Sequence, residues 1–74
     1  MDTRTLDLSG LKCPLPALLT RRVLKAAAPG VAIEVLADDP LAYIDIPHMA
    51  RAEGFELVEL ERLGNRVRLV LRAG

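Results

Sequence analysis

The spacing of apolar residues changes several times along this chain, and the changes fall at or near glycines and prolines. Apolar and polar residues alternate over residues 5–9, which predicts a half-buried strand that Gly10 ends. From Pro14 onward, apolar residues recur at intervals of three and four, which predicts a helix that Pro29 and Gly30 stop. The predicted apolar stripe consists of Leu15, Leu18, Leu19, Val23, Ala26 and Ala27, with Thr20, Arg21 and Lys25 outside it.

The middle of the chain predicts one more strand and one more helix. Residues 31–37 alternate between two faces, as expected of a strand. One of these faces consists of Val31, Ile33 and Val35. A helix is predicted over residues 44–53 with Pro47 in its first turns, because a proline deeper inside would remove a hydrogen bond and clash with the preceding turn. Gly54 suits the left-handed position directly after this helix.

The end of the chain predicts a β-hairpin, in which residues 55–62 and 66–72 flank a turn at Gly64 and Asn65. That turn sets the cross-strand pairs Leu60 with Leu69, Val58 with Leu71, and Glu61 with Arg68. The apolar pairs would lie on the core side and the charged pair on the solvent side. A single register therefore places the apolar pairs and the charged pair on opposite faces of the hairpin.

The resulting order is β-α-β-α-β-β, and a length of 74 residues allows a single domain over residues 1–74. Two helices covering one face of a four-stranded sheet are the simplest two-layer solution of the α+β class. Aromatic residues make up only 3% of the chain, whereas hydrophobic residues make up 51%. The core must therefore be aliphatic.

Composition restricts the partners and the compartment. Ten Lys and Arg residues balance ten Asp and Glu residues, which argues against nucleic-acid binding through bulk positive charge. The single cysteine cannot form an internal disulfide, so we expect a reducing, cytoplasmic setting. No apolar run approaches the roughly 18 residues that indicate a membrane-spanning helix. We therefore expect a monomer without membrane or direct nucleic-acid partners.

The segment Gly-Leu-Lys-Cys-Pro-Leu-Pro at residues 10–16 carries the candidate chemistry. Cys13 is predicted at or next to the N-cap of the first helix, with Pro14 at the first helical position and Pro16 in the same turn. The free backbone N–H groups of that turn are those of Leu15 and Ala17. These groups, the helix dipole and the positive charge of Lys12 would stabilise a thiolate or persulfide anion. The prediction is a nucleophilic sulfur with a thiol pKa below the ordinary value of about 8.5.

Other kinds of reactive or metal-binding site need residues that this chain does not have. A lone cysteine is often a buried small hydrophobe, which is the structural alternative for Cys13. His48 is expected to be exposed, and one cysteine with one histidine is too few for a zinc site. Asp38, Asp39 and Asp45 favour helix caps over a metal site. No cofactor or metal is predicted, and a thiol without a general base or a second cysteine suits a carrier better than a stand-alone enzyme.

Three basic residues lie on or beside the outer face of the first predicted helix: Arg21, Arg22 and Lys25. Such residues often form an ordinary solvated helix face. Alternatively, they form a docking surface that aligns the sulfur of Cys13 with an acidic partner protein.

Several short segments of this chain match one known family over nearly its whole length. They are Leu6-Asp7, residues 10–16, Pro29-Gly30, Asp39-Pro40, Asp45-Ile46-Pro47 and Gly54. Through these segments the chain resembles the TusA sulfur-carrier family, also called SirA-like. The Cys-Pro-Leu-Pro element at residues 13–16 is the most specific part of the match.

The resemblance implies a β-α-β-α-β-β sandwich with a mixed sheet. It also implies that Cys13 accepts sulfane sulfur as a persulfide and relays it to the next protein. The other motif residues would support this sulfur: Lys12, Pro14, Leu15 and Pro16. The implied donors are cysteine desulfurases or rhodanese-type enzymes. The implied acceptors lead to 2-thiouridine in tRNA, molybdenum-cofactor maturation or sulfur oxidation, and some members accompany selenium metabolism.

Met49 and Ala50 stand where some relatives carry a second cysteine, so a two-thiol mechanism within one subunit is excluded. The function that the sequence favours is a cytoplasmic sulfur carrier, a sulfurtransferase-type protein in which Cys13 first accepts and then donates sulfur. The alternative is a non-catalytic regulatory or RNA-associated module with a structural cysteine. Neutral net charge and scarce aromatic residues count against RNA binding.

Overall fold

The computed structural model describes residues 3–74. The elements, in chain order, are strand β1 (Thr3–Asp7), helix α1 (Leu15–Ala26), strand β2 (Ala32–Ala37), helix α2 (Ala42–Glu53), strand β3 (Glu56–Leu63) and strand β4 (Arg66–Arg72). The strand order in the sheet is β1-β2-β4-β3. Strand β1 is parallel to β2, and the other two pairings are antiparallel. The predicted α+β sandwich, with two helices on one face of a mixed four-stranded sheet, is confirmed.

Strand β1 ends two residues earlier than the alternation at residues 5–9 predicts. The N–H and the hydroxyl of Ser9 both donate to Oδ1 of Asp7, at 3.0 and 2.6 Å. This side-chain turn bends the chain out of the sheet. Leu8 is nevertheless buried, and its N–H donates to the carbonyl of Leu36 at 2.7 Å.

The core lies between the helices and the sheet and is aliphatic, as the composition predicts. The central cross-strand pairs are Ile33 with Leu71 and Val35 with Leu69, and all these side chains are fully buried. Ile33 and Val35, which were predicted to share one face of the strand at residues 31–37, therefore both face the core.

The predicted stripe of helix α1 is only partly correct, because Leu19, Val23 and Ala27 pack against the core whereas other members of the stripe do not. The buried residues of α1 are Pro16, Thr20 and Leu24, whereas Leu15 and Leu18 are 45% and 53% exposed. Apolar side chains lie on most sides of this helix, so their spacing alone does not determine which of them face the sheet. The packing of Pro16 and Leu24 decides the orientation, and it carries the hydroxyl of Thr20 into the core.

Helix α2 begins at Ala42, two residues before the predicted start, and Pro47 lies inside it. The N–H of Asp45 donates to the carbonyl of Leu41 at 2.8 Å, so the first turn is already formed before the proline. The helix therefore tolerates the one N–H donor that Pro47 removes. The left-handed cap predicted at Gly54 is confirmed by its φ of 82°. Neither helix within residues 3–74 is long and apolar enough to cross a membrane.

The hairpin register is confirmed near the turn and fails further from it. The confirmed pairs are Leu60 with Leu69 and Glu61 with Arg68. Val58 is not opposite Leu71, because a β-bulge between Leu57 and Glu59 places Leu57 there instead. Val58 is 41% exposed rather than on the core side. A bulge adds one residue to one strand, so alternation counted from the turn no longer holds beyond it.

Candidate functional site

Cys13 lies on the loop that joins β1 to α1, and its thiol is free and exposed. The alternative of a buried structural cysteine is therefore not observed. Pro14 is the N-cap residue of α1, so the helix begins at Leu15, one residue later than predicted. The peptide bond between Cys13 and Pro14 is cis. Pro16 is fully buried in the first turn of the helix. The sulfur is thus exposed on a turn whose other side packs into the core.

The thiol of Cys13 faces a carboxylate. Its Sγ donates a hydrogen bond to Oδ2 of Asp45 at 2.8 Å. Asp45 lies in the first turn of α2, on the helix that packs against α1. This hydrogen bond raises the pKa of the Cys13 thiol above its ordinary value, and partial loss of hydration and the negative charges of Asp45 and Asp39 act in the same direction.

The prediction of a lowered pKa for Cys13 is therefore wrong. The N–H of Leu15 is not free for the sulfur, because it donates to the carbonyl of Lys12 at 2.9 Å. The positive charge of Lys12 interacts with Asp39. A direct hydrogen bond from the thiol to a carboxylate favours the protonated sulfur, and this contact outweighs the more diffuse field of the helix dipole.

Asp39 connects the Cys13 loop to the start of α2. Its Oδ2 accepts the N–H of Cys13 at 2.5 Å, and its Oδ1 accepts the N–H of Leu41 at 3.0 Å. The hydrogen bonds from Leu41 and Cys13, together with the charge of Lys12, hold the pKa of this buried carboxyl below its ordinary value. The helix cap expected of Asp39 is not formed, because Leu41 is the N-cap residue of α2 and Asp39 accepts its N–H from two residues earlier, as in a turn. Its second role, fixing the backbone of Cys13, was not expected from the sequence.

Asp38 links the loop after β2 to the loop that carries Cys13, because both of its carboxylate oxygens accept the N–H of Gly10 at 3.0 Å. Asp38 and Asp45 thus bind the Cys13 loop rather than capping a helix. His48 is exposed, as predicted. No group of three or more His, Cys, Asp and Glu side chains within residues 3–74 is arranged to hold a metal ion.

The predicted docking residues lie further along α1 than the turn that holds the sulfur. The Nε atom of Arg21 is 3.1 Å from one carboxylate oxygen of Glu53, and the Nζ atom of Lys25 is 3.2 Å from the other. Glu53 is the last residue of α2, and Arg22 is exposed. The structure therefore does not bring these basic side chains to the sulfur, and it pairs two of them with an acid of the same chain.

Exposed apolar side chains lie at the starts of the two helices that flank the sulfur. They are Leu15 (45% exposed) and Leu18 (53%) of α1, and Leu41 (49%) and Ile44 (63%) at the start of α2. We call these residues the apolar collar. Sequence analysis placed Leu15 and Leu18 in the apolar stripe of the first helix and did not single out the other two. Large exposed apolar side chains near a reactive group are typical of a surface that binds another protein.

Comparison with known proteins shows the family to which this chain belongs. Residues 4–73 match the family described as Sulfurtransferase TusA. The chain belongs to the TusA family. A protein of Archaeoglobus fulgidus named "Putative sulfur carrier protein" is 42% identical to it over 64 residues, which cover 86% of this chain and 83% of the relative. A protein of the same name from Thermotoga maritima is 39% identical over 62 residues, covering 84% and 78%.

The fold of this TusA-family chain is similar to that of a solved structure. The crystal structure of a SirA-like protein from Desulfitobacterium hafniense matches it with a TM-score of 0.80 and covers 99% of both chains. The two sequences are 24% identical. At that identity, the likeness shows the shared fold.

Proposed function

We propose that this protein is a sulfur carrier, which accepts sulfane sulfur on Cys13 as a persulfide and relays it to an acceptor protein. The observation that carries the proposal is the free, exposed thiol of Cys13 on the loop between β1 and α1. Membership of the TusA family and the names of the two relatives support it. The exposure of Cys13 favours a functional sulfur over the structural cysteine of a regulatory or RNA-associated module.

Loading exchanges one S–S bond for another. The sulfur of Cys13 attacks the outer sulfur of a persulfide on the donor protein, and a new S–S bond forms on Cys13. The S–S bond of the donor breaks, and the donor sulfur leaves with the electron pair and takes up a proton. In delivery, an acceptor thiolate attacks the outer sulfur on Cys13 in the same way. Neither step requires a cofactor, because the number of S–S bonds is unchanged.

The motif residues around Cys13 have distinct roles in this proposal. Pro14 and Pro16 hold the turn that presents the sulfur, since Pro14 is the cap of α1 and Pro16 is buried beneath it. Leu15 is part of the apolar collar. Lys12 provides a positive charge beside Asp39, where it partly offsets the acidic surroundings of the sulfur.

The partners in this proposal are proteins that bind over the apolar collar. The donor is a cysteine desulfurase or a rhodanese-type enzyme, and the acceptor belongs to a tRNA-thiolation, cofactor-maturation or sulfur-oxidation pathway. Arg21, Arg22 and Lys25 would steer an acidic partner surface toward α1. Exposed ion pairs such as those with Glu53 contribute little to stability, so a carboxylate of the partner can replace Glu53. The proposed location is the cytoplasm, because a free exposed thiol persists in reducing surroundings.

Intact-mass spectrometry tests the proposal directly. The protein is incubated with a cysteine desulfurase and cysteine, or with a rhodanese-type enzyme and thiosulfate. The expected product carries the mass of one additional sulfur atom, which a reductant removes. Cys13→Ser is the matched control and should gain no sulfur, while its circular dichroism and urea midpoint stay close to those of the wild type. An unmodified wild-type protein with both donors would contradict the proposal.

A further inference from the structure

We propose that Asp45 accepts the proton of Cys13 when the sulfur is loaded and passes that proton to the departing donor sulfur. This inference rests on the proposed carrier function and adds a second residue that touches the reacting atom. The Oδ2 atom of Asp45 is 2.8 Å from Sγ of Cys13. That distance lies within the range required of a general base.

Both partners of this contact are held in place by the fold. The backbone N–H of Cys13 donates a hydrogen bond to the buried carboxylate of Asp39. Asp45 belongs to the regular helix α2, in which the nearby residues Ala42 and Ile46 are buried against the core. The thiol and the carboxylate therefore meet between two fixed segments of backbone.

The charges around the thiol explain why a proton acceptor is useful here. Asp45 faces it from α2, and Asp39 and Lys12 lie nearby on the two loops. Asp45 and Asp39 both disfavour the thiolate, so little of it is present at neutral pH. The two oxygens of Asp39 already accept backbone N–H groups. Asp45, in contrast, accepts a hydrogen bond from the thiol that must lose its proton.

The proton balance follows from the exchange chemistry. In loading, the S–H proton moves to Oδ2 of Asp45 as Sγ attacks the outer sulfur of the donor persulfide. The donor S–S bond breaks, the electron pair stays on the donor sulfur, and that sulfur takes up the proton from Asp45. In delivery, the acceptor thiolate takes the outer sulfur, and the departing Sγ of Cys13 takes up a proton from solvent, which replaces the one that the acceptor thiol released. The cycle consumes neither an oxidant nor a reductant.

The test is the pH profile of Cys13 alkylation by iodoacetamide in wild type, Asp45→Asn and Asp38→Asn. Asparagine keeps the size and the acceptor oxygen of aspartate but cannot take up the proton. An unassisted thiol loses reactivity about tenfold for each pH unit below its pKa, because only the thiolate reacts. We expect this slope in Asp45→Asn. Wild type and Asp38→Asn should lose less than about threefold per unit, because proton transfer to a hydrogen-bonded carboxylate during the attack does not require the free thiolate.

Two further variants make the result specific. Asp45→Glu restores a carboxylate and should recover the shallow profile of the wild type. His48→Gln should also keep that profile. This variant is included because histidine is a common proton acceptor between about pH 5 and 8, and His48 lies on the same helix as Asp45. A tenfold slope in the wild type, or a shallow slope in Asp45→Asn, would overturn the role of Asp45. A steep slope in His48→Gln would assign the proton to His48 and overturn it as well.

Loading by glutathione persulfide separates this inference from the function on which it rests. The sulfur adduct on wild type and Asp45→Asn is measured by intact mass over the same pH range. The same difference in slope is expected, with the variant falling behind the wild type as the pH decreases. Wild-type protein that forms no adduct at any pH would overturn the carrier function. Equal slopes for the two proteins, with adduct present, would overturn only the role of Asp45.

Discussion

A 2.5 Å hydrogen bond joins the backbone N–H of Cys13 to Oδ2 of Asp39. The same carboxylate accepts the N–H of Leu41, so one buried side chain connects the loop that carries the sulfur with the start of α2. The position of Cys13 relative to Asp45 therefore depends on Asp39. A change at this residue is expected to affect both the stability of the fold and the geometry of the thiol.

Asp39→Ala should destabilise the protein. The substitution removes the acceptor for two backbone N–H groups, and an unpaired buried donor is costly. The midpoint of urea unfolding should fall clearly below that of the wild type. Asp38→Ala is the matched control, because Asp38 is an exposed neighbour that accepts only the N–H of Gly10. Its midpoint should fall less, and equal midpoints for the two variants would contradict the role given to Asp39.

Acid should weaken the fold partly through Asp39. The pKa of this carboxyl is lower in the folded protein than its unfolded value of about 3.9. Its ionised form therefore stabilises the folded state above that pH, and the contribution is lost as the pH falls through the folded pKa. Between about pH 6 and about pH 3, the urea midpoint should decrease more in the wild type than in Asp39→Asn. Identical decreases would show that other carboxyls account for the acid sensitivity.

Thr20→Val should stabilise the protein by about 1 kcal/mol. The hydroxyl of Thr20 is fully buried and has no hydrogen-bond partner among residues 3–74. Valine has the same shape without the polar group. Thr20→Ser keeps the hydroxyl and removes the methyl group, so it should destabilise through the space it leaves. Urea unfolding measures both variants, and a valine variant no more stable than the wild type would mean that the hydroxyl is satisfied in solution.

Charge reversal of Arg21 and Lys25 to Glu should slow sulfur loading from a protein donor. These exposed charges would act on the association rate, so the difference from wild type should shrink as salt screens them beyond about 8–10 Å. Loading by glutathione persulfide should barely change, because that reagent needs no docking surface. Equal losses with both donors would place the effect on the thiol, and no loss would leave the three basic residues as an ordinary helix face.

Glu53→Gln gives the opposite test of the same surface. It frees Arg21 and Lys25 from their intramolecular acid. We expect faster loading from the protein donor at low salt and no change with glutathione persulfide. Unchanged loading from the protein donor would indicate that the partner does not contact this part of α1.

Leu18→Ser should slow loading from the protein donor without the salt dependence of the basic residues. Leu18 is 53% exposed in the apolar collar, and its burial by a partner would contribute binding free energy that does not depend on ionic strength. Val58→Ser is a matched control, because Val58 is 41% exposed on β3 at the bulge. Similar loading by the two variants would argue against the collar as the binding surface.

The hairpin could be predicted from the sequence because its determinants are local. The turn at Gly64 and Asn65 fixes the register, and Glu61 opposite Arg68 is a short-range consequence of it. The orientation of α1 could not be predicted in the same way. Its apolar residues surround most of the helix, so the packing of Leu24 and Pro16 on the sheet decided that Thr20 would be buried and Leu18 exposed.

The contact between Cys13 and Asp45 could not be predicted from the sequence pattern either. The two residues are 32 positions apart, and they meet only because α1 and α2 pack side by side with their first turns adjacent. Sequence analysis identified Cys13 and its exposed turn from the neighbouring prolines. It assigned the wrong direction to the thiol pKa, because the helix dipole is visible in the sequence whereas a carboxylate from another helix is not.

The exposed sulfur of Cys13 lies on the loop before α1, and the apolar collar lies at the starts of α1 and α2. In the proposed relay, a donor and an acceptor must each bring a sulfur atom within bonding distance of this single atom, so they would require the same surface and exclude one another. The proposed transfer is then a double displacement, in which the carrier would leave the donor before it meets the acceptor. The flux of sulfur would depend on the lifetime of the loaded carrier in free solution, and an excess of either partner would slow the relay by occupying that one surface.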